Sequence, residues 1–436
     1  MSMTKVARAV LVALALSLYA VGGARGADAR DEARVDELEK RVRQLEKRVE
    51  EKEEGERPAT GLQAYWKEGL RLDTADGTFK LKLGGRIQND WALFDADDDV
   101  EERFGELGSG TEFRRARLFI EGEVYENVKF KAEYDFAGGD ANFTDVYLEL
   151  RKLPLLGDLT VGHFKEPFSL EELTSSRFIT FLERSLPNVF SPARNTGLMI
   201  HNHALGERVT WALGAFHDAD NFGFGFGPDS IYNVTGRLTG LLWYEDEGSR
   251  LLHVGLSYSH KFRANDPLRF RQRPEAHLSP VQFVDTGSLA ADGVDLINPE
   301  LAVVLGPFSL QGEYTRAIMN AGESSDPDFD GFYVYGTYFL TGEHRVYKTA
   351  AAAFDRVAPK RNFDGKGGLG AWEAGVRYSQ LDLDDTGVSG GELGALTAGL
   401  NWYLNPNTHV MLNYVLADLD DASDTNIFQA RFQVDF

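Results

Sequence analysis

From Gly61 onward, apolar and polar residues alternate with a period of two, in one segment after another. Phe79, Leu81, Leu83, Ile87, Trp91 and Leu93 fall on one face of an extended chain, and Lys80, Lys82, Arg86, Gln88 and Asp90 fall on the other. Val128, Phe130, Ala132, Tyr134 and Phe136 oppose Lys129, Lys131, Glu133 and Asp135 in the same way, as do Trp372, Ala374, Val376 and Tyr378 against Glu373, Arg377 and Ser379. Sixteen such segments can be read, at about 78–95, 112–126, 127–137, 142–152, 157–165, 196–205, 208–217, 231–245, 250–262, 298–306, 307–319, 329–341, 370–383, 392–404, 408–418 and 425–436. A soluble sandwich alternates too, so the links between segments decide the class.

Short links such as Glu126-Asn127, Leu205-Gly206, Gly306-Pro307 and Asn405-Pro406-Asn407 alternate with longer, acidic or glycine-rich ones. Short turns at one end and longer loops at the other mark an outer-membrane barrel. Trp91, Trp211, Trp243, Trp372 and Trp402 lie toward segment ends, where interfacial girdles form. The last segment carries Phe428, Ala430, Phe432, Val434 and Phe436 on one face and resembles the C-terminal signal read by the outer-membrane assembly machinery. The predicted fold is all-β: a 16-stranded antiparallel transmembrane barrel over residues 78–436, preceded by a short coiled-coil helix. Its lumen is wide enough to hold water and pass solutes.

Composition narrows the function. With no Cys, the chain has neither disulfides nor thiolate-ligated metal, and a net charge of −22 disfavours nucleic acid as a partner. Lys5 and Arg8 followed by the apolar run Ala9–Val21 read as a signal peptide over 1–29. Val35, Leu38, Val42, Leu45 and Val49 make an a/d seam over 30–57, with Arg34, Arg41 and Arg48 at g and Glu39, Glu46 and Glu53 at e. This predicts a periplasmic coiled coil, although a solvated charged helix gives the same pattern. Residues 58–77 form the linker. Residues 1–60 hold 12 basic and 12 acidic groups, so the whole net charge falls on the barrel segment.

Several stretches carry a family resemblance: Gly84-Gly85-Arg86, Glu112 to Leu118, Gly162 to Ser169, Leu173 to Arg177, Phe339 to Glu343 and Gly370 to Glu373. In this order they resemble the phosphate-selective porins O and P. The resemblance implies a homotrimer, a third external loop near 166–195 folded inward to narrow the pore, and basic residues that bind and pass small anions such as phosphate. Arg86, Arg114 and Arg115 match on the wall, and Ser175, Ser176 and Arg177 match on the loop. The sequence departs at Glu172, where phosphate-selective members place lysine. A carboxylate there repels phosphate unless a neighbouring cation neutralises it.

Alternation alone places Lys80, Lys82, Arg86, Arg115, Arg117, Lys129 and Lys131 inward, interleaved with Glu121, Glu123, Glu133, Asp135, Asp145 and Glu149. The loop adds Lys165, Arg177, Arg184 and Arg194 against Glu166, Glu171, Glu172 and Glu183. Such a wall is either an anion path or a lattice of transverse salt bridges. Arg269, Arg271 and Arg273 predict an external anion funnel in 263–297, and the long link 342–369 predicts a plug or lining at the inner mouth. Acidic loop clusters allow contact with outer-membrane lipid and lipopolysaccharide, through cations or simply as solubilising charge. His201 and His203 share a face but find no third ligand, so neither metal nor cofactor is expected. No hydrolase motif is present, so the chain is read as a diffusion porin and not as an enzyme. The alternatives are a general pore of mixed selectivity and an envelope tether with little transport.

Overall fold

A computed structural model describes residues 61–225, 232–263, 267–320, 326–420 and 422–436, together with five positions between 37 and 44. The signal peptide and nearly all of the proposed coiled coil lie outside the described residues; Glu37, Lys40, Arg41, Val42 and Gln44 are helical. The chain divides into two units, and the larger, residues 63–73 and 77–436, holds the barrel.

All sixteen expected segments are strands: β1 (Phe79–Ala96), β2 (Ser109–Val124), β3 (Val128–Asp135), β4 (Asn142–Leu153), β5 (Gly157–Lys165), β6 (Arg194–Ala204), β7 (Val209–His217), β8 (Tyr232–Glu245), β9 (Arg250–Phe262), β10 (Gly293–Leu305), β11 (Phe308–Asn320), β12 (Asp328–Phe339), β13 (Ala371–Asp385), β14 (Val388–Asn405), β15 (Thr408–Leu419) and β16 (Ala422–Asp435). Each pairs antiparallel with its sequence neighbours. β16 then pairs with β1, from Thr425 opposite Ala96 to Asp435 opposite Arg86. Phe436 and Gly85 exchange both backbone hydrogen bonds at 2.8 and 3.0 Å, closing the cylinder. Beyond them β1 runs on, and a five-residue strand, Leu70–Thr74, pairs with its free edge at Lys80–Leu83. That edge would otherwise be an open template for other chains.

Exposure follows the alternation. Leu83, Ile87, Trp91, Leu238, Val376 and Phe432 are exposed on the outside, whereas Arg86, Gln88, Arg237, Arg377 and Arg431 are buried inside. β10 begins five residues earlier than the sequence indicates, at Gly293, and carries Pro299 in its middle. Proline cannot donate to the ladder. Asn298 compensates: its side-chain nitrogen donates to Tyr314 O, the backbone group facing the proline, at 3.3 Å.

The Gly84-Gly85 pair has a steric cause. A Cβ on Gly84 would stand 2.4 Å from Phe436 O and 2.5 Å from the Phe119 ring, and one on Gly85 would stand 2.4 Å from Arg117 O. We predict that Gly84→Val lowers the thermal stability of the folded barrel, read by heat-modifiable gel migration, by roughly 1–3 kcal/mol. Gly240→Ala, where the nearest atom is 3.9 Å away, should leave it nearly unchanged.

Candidate functional site

The site starts from a disturbance in β2. Between Gln88 and Asn89 of β1 the register slips: Arg115 faces Gln88 and Phe113 faces Asn89, leaving Arg114 as an extra residue. This bulge turns both arginines toward the interior, where strict alternation admits only one. Arg114 grips Glu183 of the 166–193 loop with two bonds, at 2.9 and 3.0 Å. Arg431 of β16 holds the same carboxylate at 2.8 Å and pairs with Asp90 at 2.6 Å. Across the barrel, Arg377 of β13 reaches Glu171 at 3.4 Å and donates to Glu183 O at 3.0 Å. Glu313 of β11 accepts from Leu170 N and Glu171 N at 3.0 and 2.7 Å, capping the single helical turn Leu170–Leu173 together with Ser169 Oγ. Buried Phe168, Leu186 and Phe190 add apolar packing. The loop is therefore bonded to opposite walls at the same time.

Most sequence-predicted cations sit in ion pairs. Lys80 pairs with Glu123 at 3.3 Å and Lys82 with Glu121 at 3.6 Å. Arg117 pairs with Asp135 at 2.6 Å and Glu133 at 3.3 Å, and Lys131 and Arg194 share Asp145, each at 2.7 Å. Glu172 is held by Lys165 at 2.9 Å and Arg184 at 3.2 Å. Burial favours the protonated acid, but Arg184 and Lys165 outweigh it and keep Glu172 ionised, pulled down to about 2. The cation required to neutralise Glu172 is present twice over.

A smaller group is brought together without full neutralisation. Arg86 donates to Ser176 Oγ at 2.8 Å and to Glu133 at 2.9 Å. Gln88 donates to Ser176 O at 3.0 Å and accepts from Arg115 at 3.0 Å. Arg115 is 5% exposed, yet it makes no ion pair among the described residues, and its Nε is buried without a partner. Arg177 makes no ion pair among the described residues; it bonds Ser175 Oγ at 3.3 Å and lies 5.0 Å from the Phe178 ring. Lys129 stands opposite Glu149 in the ladder without a close contact.

The chain from residue 81 to 436 matches the family model for phosphate-selective porin O and P. The chain belongs to this family. It is an outer-membrane porin. It is 28% identical to Porin O of Pseudomonas aeruginosa, covering 83% of this chain and 88% of that one, and 31% identical to an uncharacterized protein of Caulobacter vibrioides, covering 87% and 78%. Its fold is similar to the anion-selective porin of Comamonas acidovorans, at TM-score 0.51 and 14% identity over 82% of this chain and all of that one. It is also similar to OmpF of Salmonella typhi, at TM-score 0.53 and 13% identity over 86% of this chain and all of that one.

In this porin the segment after β9 corrects the funnel reading. Arg269 is spent on Asp285 at 2.7 Å, and Leu268, Phe270 and Phe283 pack into the same buried cluster as Phe168 and Phe190. Glu275 reaches the wall, bonding Arg377, Ser379 and Thr397. The segment is drawn inward by apolar side chains that a reading of its arginines overlooks. The long link between β12 and β13 enters as well: Tyr347 OH meets His253 Nδ1 at 2.7 Å, and Arg237 donates to Ala352 O at 2.9 Å. Sequence reasoning missed Gln88, Arg377 and Arg431 as site residues. Their inward parity was legible, but their loop partners lie far away in sequence.

Removing the shared Glu183 charge should leave Arg114 and Arg431 short of partners. Glu183→Gln is predicted to destabilise the barrel by roughly 3 kcal/mol in thermal melts and to increase open-channel current noise. The Glu172 pair contributes stability above the ordinary carboxylate range near 4.5, and that stability is lost as pH falls through about 2. The conductance difference between Glu172→Gln and the parent should therefore persist at pH 5 and close only in strong acid.

Proposed function

We propose that this porin is an anion-preferring diffusion pore, narrowed by the 166–193 loop, with a weak oxyanion station formed by Arg86, Arg115 and Ser176. The observation that carries this reading is Arg115. A guanidinium 5% exposed on the inner wall, without a carboxylate, lacks a counter-charge that a passing anion can supply. Ser176 Oγ and the Arg86 fork stand beside it, linked through Gln88. An anion at this point exchanges part of its hydration for these donors. Because Glu133 already holds part of Arg86, binding stays weak enough for release.

The lattice of ion pairs favours a second reading, a pore of mixed selectivity. Lys165, Arg184, Arg117, Lys131 and Arg194 all face carboxylates, which leaves few cations for a solute. Specificity for phosphate over other small anions rests on the station alone. Homotrimeric assembly belongs to the same proposal and is supported by an outward apolar groove of about 700 Å³ beside the barrel closure, lined in part by Trp91, Leu93, Leu412, Tyr414 and Phe428.

Phosphate block of single-channel chloride current tests the station. Arg115→Gln should weaken block about tenfold or more, the worth of a charge-assisted hydrogen bond. Glu172→Gln should strengthen it by freeing Lys165 and Arg184. Block unchanged in both variants would remove the station and leave the mixed-selectivity pore.

A further inference from the structure

The link between β12 and β13, residues 340–370, has two halves with different surroundings. The first lies against the inner wall. Arg345 donates to Gln311 at 2.9 Å and stacks 3.5 Å from the Phe354 ring centroid, and Tyr347 and Phe354 are buried beside Leu170 of the 166–193 loop. The second half lies against outward-facing side chains. Trp372 and Trp402 alternate with the buried Glu373 and Tyr403, so both project away from the lumen, and their rings stack at 5.2 Å. The link returns onto this pair: Phe363 N donates to Leu404 O at 2.7 Å, and the Phe363 ring meets Trp402 edge-on at 5.0 Å. Both indole N–H groups donate to Leu369 O, at 3.2 and 2.8 Å. Between the halves, Val357 packs on the small cluster of Phe339, Ala371 and Tyr403. The chain thus passes from lumen to outer surface at the turn end of the barrel.

The outer half has the chemistry of a bilayer interface. Leu340 is 62% exposed, Leu369 65% and Phe363 45%, although each could have been polar on a surface facing only water. Beside them Arg361 and Lys366 are exposed. Arg361 has only a loose contact with Asp364, at 3.5 Å, and Asp364 is itself occupied by the backbone N–H groups of Lys366 and Gly368 at 2.7 and 2.9 Å. Stacked indoles, bare apolar side chains and two cations complement an acyl chain below and a phosphate above.

We propose that residues 360–370 form a binding site for the head group of an anionic glycerophospholipid in the leaflet at the turn end, and that the bound lipid steadies the lumenal half of the same link. The lumenal half adjoins the 166–193 loop through Leu170, so lipid occupancy reaches the narrow part of the pore through one continuous strap.

The test uses the full chain in detergent micelles and native mass spectrometry with phosphatidylglycerol and phosphatidylcholine. Phosphatidylglycerol should bind more tightly. The double variant R361Q/K366Q should weaken it by roughly thirty-fold at low salt, without changing phosphatidylcholine binding. Equal affinity for the two lipids, or an unaffected variant, would overturn the site. Added inorganic phosphate should not displace phosphatidylglycerol; if it does, the cations hold a bare phosphate and the lipid assignment fails. In bilayers containing phosphatidylglycerol the variant should show more frequent closures, with heat-modifiable migration confirming that it is folded. A folded variant whose current traces match the parent would sink the coupling.

Discussion

The structure depends on the requirement that no backbone N–H or C=O face lipid unpaired. In hydrocarbon each unsatisfied group costs several kcal/mol, so a strand-built protein must close its sheet. Here closure is the pairing of β16 with β1, completed by Phe436 and Gly85. Other features follow from it. Gly84 and Gly85 are small because the ends of the sheet meet over them. A proline inside β10 is tolerated because the Asn298 side chain supplies the missing donor. The part of β1 that outruns its partner is covered by the strand Leu70–Thr74.

Closure also fixes what the interior must contain. Every second residue points inward, and the wall presents arginines that need counter-charges in a partly desolvated space. The loops supply them. Glu183 serves Arg114 and Arg431, Glu275 serves Arg377, and Glu172 serves Lys165 and Arg184. These pairs fasten the loops and at the same time consume most of the positive charge. In the proposed function, anion preference comes from the remainder, of which Arg115, buried without an ion pair among the described residues, is the clearest member. The net charge of −22 is therefore a poor guide to selectivity: much of the acid either fastens loops or lies in exposed connections such as Asp97–Glu102.

The fold was legible because lipid imposes a strict period of two, and all sixteen segments were placed from it. The site was legible in part. Arg86 bonds Ser176 directly and Arg115 is linked to it through Gln88, whose partners no local pattern names, while Arg117, Lys129 and Lys131 lie on the strand face that alternation gives them. Arg114 faces inward only through a bulge, which parity cannot reveal. Pairings such as Glu171 with Arg377 join residues some two hundred positions apart, and no local pattern encodes them. The segment after β9 misled the reading because its arginines suggested an external funnel, while Leu268, Phe270 and Phe283 decide its position by burial.

What the remaining charge does is most directly measured by the reversal potential across a planar bilayer holding the purified porin in a potassium chloride gradient. The proposed role of Arg115 predicts the sign set by chloride crossing faster than potassium. A potential of the opposite sign would show that the carboxylates govern the path, and would contradict the account.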